Sequence, residues 1–270
     1  MNKYLEIIEK FIDKMEYRNN KHYLGTYFYG SSLTGFNNSN SDIDLHVIFD
    51  NSDQEHIYRG IHHIDGIKIE YFEKCINDLY LSVDNDIVER NGSWYSMLGT
   101  SKIIDDETGK LKKLQEYTLK AYERGLPKID EQEIMEYIAI INNRMEKLRI
   151  LCINNEPNFY SLYYITIEKI RRFYHSINGL PKINTSKIYR VYKDDEYRKT
   201  YFPGNFVSEE FKEKYFNLIE NTSRDKKELF TNIENFYSYV KNGRELPKNE
   251  FKIKIKSRNK NTNWKFIRNK

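Results

Sequence analysis

Asp42 and Asp44 stand one residue apart at the start of the apolar run DIDLHVIF. Side chains alternate along a strand, so Ile43, Leu45, Val47 and Phe49 share one face and the two carboxylates share the other. Like charges side by side on a strand repel. A bound divalent cation relieves that repulsion, and hard ions such as Mg²⁺ take carboxylate oxygens. Upstream, Gly30-Ser31-Ser32 interrupts Tyr23 to Tyr29, a stretch rich in Tyr, Phe and Thr. Unpaired backbone N–H groups at such a turn attract phosphate. A phosphate cradle beside a cation site is equipment for moving a nucleotide.

The elements that must hold these residues follow from periodicity. Strands are expected at 23–29 and 42–49, joined by the polar loop Asn37 to Ser41. A third carboxylate comes from GIKIEYFEK, where Lys68, Glu70 and Phe72 share a face opposite Ile69 and Tyr71. Glu70 can thus face the aspartates' cleft, with Glu73 as the alternative. The short gap before this strand favours an antiparallel neighbour, because a parallel crossover takes a dozen or more residues. His56, His62 and His63 lie in that gap without an ordered spacing to a fourth ligand, and read as surface residues. His46 shares the aspartates' face and reads as a strand-end residue.

Around this sheet, Leu5, Ile8, Ile12 and Met15 mark an amphipathic helix over 3–17. A helix of weak amphipathicity is expected at 74–90, and a bent extended segment from Trp94 to Ile104. Another helix runs from Leu111 to Glu123, and Gly125-Leu126-Pro127 breaks it. From Glu131 the pattern turns to long helices. Met135, Ile138, Ile141, Met145 and Leu148 mark one of them. Tyr160, Tyr163, Tyr164, Ile167, Ile170 and Tyr174 mark the next, a tyrosine stripe that reads as core. Further helices are expected at 186–196, 208–221 and 223–241, and an edge strand at 251–256. The fold class is α+β: a small mixed β-sheet flanked by helices over 1–126, a helical bundle over 127–245 and a basic tail over 246–270.

Composition bounds the function classes. The chain has 270 residues, 39% hydrophobic and 15% aromatic, ample for a core. Cys75 and Cys152 form no CxxC pair, which speaks against structural zinc and a disulfide framework. The opening MNKYLEIIEKFIDKM is interrupted by charges and reads as neither signal peptide nor membrane span, so a cytoplasmic protein is expected. The net charge of +4 is uneven: −6 over 1–126, +1 over 127–240 and +9 over 241–270. A basic tail can follow phosphates, as in RNA, or acidic surfaces.

The string GSSLTGFNNSNSDIDLHVIF resembles the signature of the polymerase-beta-like nucleotidyltransferase superfamily. That signature is a Gly-Ser pair, an Asp-x-Asp and a third carboxylate on a later strand. Gly30, Ser31, Asp42 and Asp44 match it, and Glu70 fits the third place. Within the superfamily the layout is similar to bacterial antibiotic nucleotidyltransferases of the kanamycin (aminoglycoside) type. The resemblance implies an N-terminal nucleotidyltransferase domain, ATP or another NTP as donor, and two Mg²⁺ ions held by Asp42, Asp44 and Glu70. It also implies phosphate contacts from Gly30, Ser31, Ser32 and Lys147, a small antibiotic-like acceptor, and a homodimer. Asn143 stands where that family has its proposed general base, a carboxylate; Glu146 lies near. A macromolecular acceptor, tRNA or protein, as in a toxin-like enzyme, is the alternative that the basic tail motivates. A catalytically idle nucleotide-binding module is a third.

Overall fold

The computed structural model describes residues 2–37, 41–50, 58–204, 206–221, 223 and 225–246. The expected strand at 251–256 and most of the basic tail lie outside them.

The first half is built on a five-stranded mixed sheet in the order β3-β4-β2-β1-β5. Its strands are β1 (Tyr23–Tyr29), β2 (Ile43–Phe49), β3 (Arg59–Ile64), β4 (Ile67–Cys75) and β5 (Lys102–Ile104). Helix α1 (Asn2–Lys14) covers one face. Its Ile7, Ile8, Phe11 and Ile12 pack with Ile43, Leu45, Val47 and Phe49, the apolar side of the period-two pattern. Helices α3 (Ile76–Val88) and α4 (Lys110–Glu123) cover the other face, where Leu79, Val83, Leu111 and Leu114 meet Tyr27 and Ile48. The aspartates' face is therefore itself half covered, and open only at one end.

The expected antiparallel neighbour of β2 is corrected here: β4 pairs with β2 in parallel. The gap before β4 holds a further strand, β3, which runs antiparallel to β4 through the turn Asp65-Gly66. Asp65 and Gly66 both have positive φ, 50° and 75°, as a tight hairpin turn requires. The segment Trp94 to Ile104 is not extended throughout. It contains a wide helical turn at Tyr95–Gly99 before β5.

The second half is helical: α5 (Glu131–Ile153), α6 (Phe159–Ile177), α7 (Thr185–Lys193), α8 (Asp195–Tyr201), α9 (Glu209–Ile219) and α10 (Lys226–Lys241). Asp130 and Glu133 form a reciprocal cap that starts α5. The single helix expected at 186–196 is two, because the Asp194 carboxylate caps the start of α8. The tyrosine stripe of α6 is core only in part: Tyr163, Ile167 and Ile170 are buried, while Tyr164 is half exposed.

Contacts divide the chain into two compact units. One joins Met1–Ile129 to Ile167–Thr222; the other joins Asp130–Thr166 to the described residues from Ser223. This differs from the linear division into 1–126, 127–245 and 246–270. The first boundary falls close by, but α7, α8 and α9 group with the sheet. In the second unit, Tyr237 of α10 donates to Asn142 of α5 at 2.8 Å. No helix among the described residues is long and apolar enough to cross a membrane.

Candidate active site

The site is assembled by strand register. Asp44 lies opposite Tyr29 of β1 and beside Glu70 of β4. Parallel pairing without a shift puts Asp44 and Glu70 on the same face, and Asp42 precedes Asp44 on that face. One carboxylate oxygen from each of Asp42, Asp44 and Glu70 lies within 4.8 Å of the others. Glu73 turns the other way, and accepts a hydrogen bond from the Tyr17 hydroxyl at 2.6 Å.

Gly30 follows Tyr29 directly, with φ 85° and ψ −169°. A Cβ built there would come within 2.3 Å of Asp44 Oδ2. The Asp44 carboxylate therefore lies against the bare Cα, and glycine is needed both for space and for its positive φ. The chain then makes the one-turn helix α2 (Ser31–Thr34). The Ser32 hydroxyl donates to the Asp42 carbonyl at 2.5 Å, tying this turn to the start of β2. Ser32 is buried, so its side chain is a brace, and only its N–H is left for a ligand. Ser31 is half-buried, and its hydroxyl makes no hydrogen bond among the described residues.

Burial, and next the charges of Asp42 and Glu70, push the Asp44 carboxyl up to about 7 from 3.8, while Lys187 and Lys68 pull it down. Three oxygen donors around one under-compensated negative charge fit a hard divalent cation. The raised pKa has a consequence for stability. Between the ordinary carboxylate range and about pH 7 the folded chain holds a proton at Asp44 that the unfolded chain lacks. Stability from this group therefore falls as pH rises through that window. Wild type and Asp44→Asn are expected to diverge in metal-free unfolding from pH 5 to pH 8. The divergence is at most about 1.4 kcal/mol per pH unit, with wild type the weaker. Parallel stability curves for the two proteins would refute the electrostatic reading.

Elements far along the chain complete the surroundings. Tyr201 at the end of α8 shares a 2.5 Å hydrogen bond with Thr34 of α2, across 167 residues of sequence. Arg190 of α7 donates to the Phe36 carbonyl at 3.3 Å and lies 4.3 Å from the centre of the Tyr197 ring. Lys187, on the same helix, is near enough to Asp44 to favour its charged form. Sequence reading missed all three. For Lys187 and Arg190 the available signal was a basic outer face on a helix whose inner face is Ile188, Val191 and Tyr192, and such a face does not name its neighbour.

His46 is corrected as well. It sits mid-strand, 2% exposed, stacked on Tyr29 at 4.7 Å and close to Phe72 and Trp94. Burial pushes its pKa down to about 3, so the ring is neutral, and neither ring nitrogen has a partner among the described residues. Lys147, Asn143 and Glu146 are exposed on α5, in the other compact unit.

Residues 8–121 match the family model described as nucleotidyltransferase domain. This segment is a nucleotidyltransferase domain. Its class of activity is the transfer of a nucleotidyl group. The nucleotidyltransferase domain spans Gly30, Ser31, Asp42, Asp44 and Glu70, while Lys187 lies beyond it in sequence. Solved structures that match include a nucleotidyltransferase-like protein from Exiguobacterium sibiricum 255-15, 15% identical to this chain. The match covers 83% of this chain and 72% of that one at a TM-score of 0.44, too slight a likeness to carry an argument. None of the curated proteins compared with the chain matches it.

Proposed function

We propose that this chain moves a nucleoside monophosphate, AMP foremost, from an NTP to a hydroxyl of a small antibiotic-like acceptor, releasing pyrophosphate. The observation that carries this is the convergence of Asp42, Asp44 and Glu70 within 4.8 Å, with Asp44 against Gly30. Two Mg²⁺ ions held there would neutralise phosphate charge and lower the pKa of the attacking hydroxyl.

The chain's own residues do the positioning. Asp42 and Asp44 would hold both ions, and Glu70 the ion beside the acceptor. The N–H groups of Ser31 and Ser32 and the Ser31 hydroxyl receive the outer phosphates. The acceptor oxygen bonds to the α-phosphorus as the α–β bridge breaks. Pyrophosphate leaves with the bond's electron pair, and the hydroxyl proton passes to water. Lys187 supports this reading by placing a positive charge toward Asp44. Lys147 remains the resemblance's own candidate for the triphosphate. Lys187→Ala is expected to raise KM for the NTP about tenfold, about 1.4 kcal/mol, and by more than Lys147→Ala does. Steady-state kinetics on both variants checks this, and a larger effect at Lys147 would reverse the assignment.

A cytoplasmic setting fits this donor and two free thiols, Cys75 and Cys152. The second reading, a tRNA or protein acceptor, is favoured by the charge of +9 over 241–270. Incubation with α-labelled NTPs, Mg²⁺ and a panel of aminoglycosides, lincosamides and total tRNA separates the two. Label on a small molecule supports the first reading. Label on tRNA that is lost when 247–270 is deleted supports the second.

A further inference from the structure

Asp42 and Glu70 already hold cations in this structure, and those cations belong to the chain. Lys68 Nζ lies 2.8 Å from Asp42 Oδ2 and 3.6 Å from Glu70 Oε2, bridging the two carboxylates. Arg59 Nε donates to Glu70 Oε1 at 2.9 Å, and its Nη2 reaches the same oxygen. Both come from the β3–β4 hairpin, and the Arg59 guanidinium is parked 5.2 Å from the centre of the Phe72 ring. Asp44 has no such ion pair among the described residues, and Lys187 acts on it only through its field.

We propose that Lys68 and Arg59 are internal competitors for the divalent cation: they neutralise Asp42 and Glu70 until the ion arrives, and its entry displaces them. This rests on the reading of Asp42, Asp44 and Glu70 as a cation site. Charge and exposure both support it. With all three ionised, the carboxylates carry −3, and the two paired cations reduce this to −1, located at Asp44. An incoming ion meets that unshared charge first. The competing pairs are weak enough to yield. The Lys68 side chain is 40% exposed and that of Arg59 65%, whereas Glu70 is 16% exposed. Exposed pairs of this kind contribute little and are screened by salt. Both cations can swing into solvent, while the carboxylates stay fixed by strand register.

A brace would behave in the opposite way. If Lys68 and Arg59 only held the carboxylates in position, their removal would loosen the cluster and weaken ion binding. Competition predicts tighter binding. Mn²⁺ titration followed by the electron paramagnetic resonance of the free ion, without nucleotide at low salt, reads this directly. Lys68→Gln and Arg59→Gln are each expected to lower the Mn²⁺ Kd about threefold, and the double variant about tenfold. Lys68→Arg keeps the charge and is expected to keep the wild-type Kd. The metal-free double variant is expected to unfold at a lower temperature than wild type, with the gap closing in saturating Mn²⁺. Equal or larger Kd values in variants that still fold would overturn the competition and leave the cation site standing. Wild type that binds no Mn²⁺ at millimolar concentration would remove the cation site, and the proposal with it. Should the glutamine variants fail to fold, Lys68→Met and Arg59→Met carry the same comparison.

Discussion

Asp44→Asn is expected to stop transfer and to stabilise the metal-free protein at once. The two effects have one cause. Asp44 is a largely buried carboxylate beside Asp42 and Glu70, and its pKa is raised to about 7. At pH 8 it is charged, and it pays for burial and for repulsion without a paired cation. Asparagine keeps the shape and removes that cost, so a gain on the order of 1–3 kcal/mol is expected in unfolding at pH 8. On the proposed mechanism the same change removes one oxygen ligand of the ions that would activate the acceptor. Loss of several kcal/mol of charge stabilisation corresponds to a fall of about 10³-fold or more in rate. Chemical unfolding and a transfer assay on one preparation test both signs. A variant that is inactive because it is destabilised would show Asp44 to be a structural residue. An active variant would show that it is no ligand.

The second large effect is at Gly30. Alanine there meets a positive φ of 85° and a carboxylate oxygen at 2.3 Å. The strain costs on the order of 1–3 kcal/mol, and the Asp44 side chain must move away from its neighbours to make room. Transfer is expected to fall about 10²-fold, as displacement of a catalytic group by about 1 Å does, and Mn²⁺ binding should weaken alongside. Gly66→Ala separates the two contributions. Gly66 has φ 75° in the β3–β4 turn and nothing within 4 Å of an added Cβ. It should lose similar stability and keep its activity. If both variants lose activity equally, backbone strain and not the Asp44 contact explains the effect at Gly30.

The strands that carry the acidic cluster were legible because a period of two is a strong constraint. Once Ile43, Leu45, Val47 and Phe49 are buried together, Asp42 and Asp44 have nowhere else to point, and the same rule orients Glu70. What the period cannot show is which strand lies beside which. β3 escaped notice because its burial alternates weakly. Ile61 is 58% exposed, and only Ile64 is buried. Without β3 the gap looked too short for the parallel β2–β4 pairing that sets Glu70 beside Asp44. His46 was misread for a related reason: the aspartates' face is open only at its end, and Trp94 arrives to cover the rest from a segment expected to be extended.

The helical half shows the other limit. Amphipathic spacing placed α5, α6, α9 and α10 within a few residues, yet it says nothing of what each buried face meets. α7 and α8 belong to the unit that holds the sheet because Tyr201 reaches Thr34 and Arg190 reaches Phe36. Those contacts cross most of the chain, and no local pattern announces them. The resemblance pointed to Lys147 on α5; the lysines whose field reaches Asp44 within its own unit are Lys187 and Lys68.

The central claim concerns which phosphorus is attacked, and the position of a label decides it. The protein is incubated with Mg²⁺, an accepting substrate and ATP labelled on either the α- or the γ-phosphate. The account predicts α-label on the acceptor, γ-label in released pyrophosphate, and neither product from Asp44→Asn. γ-Label on the acceptor, or transfer undiminished in that variant, would contradict it.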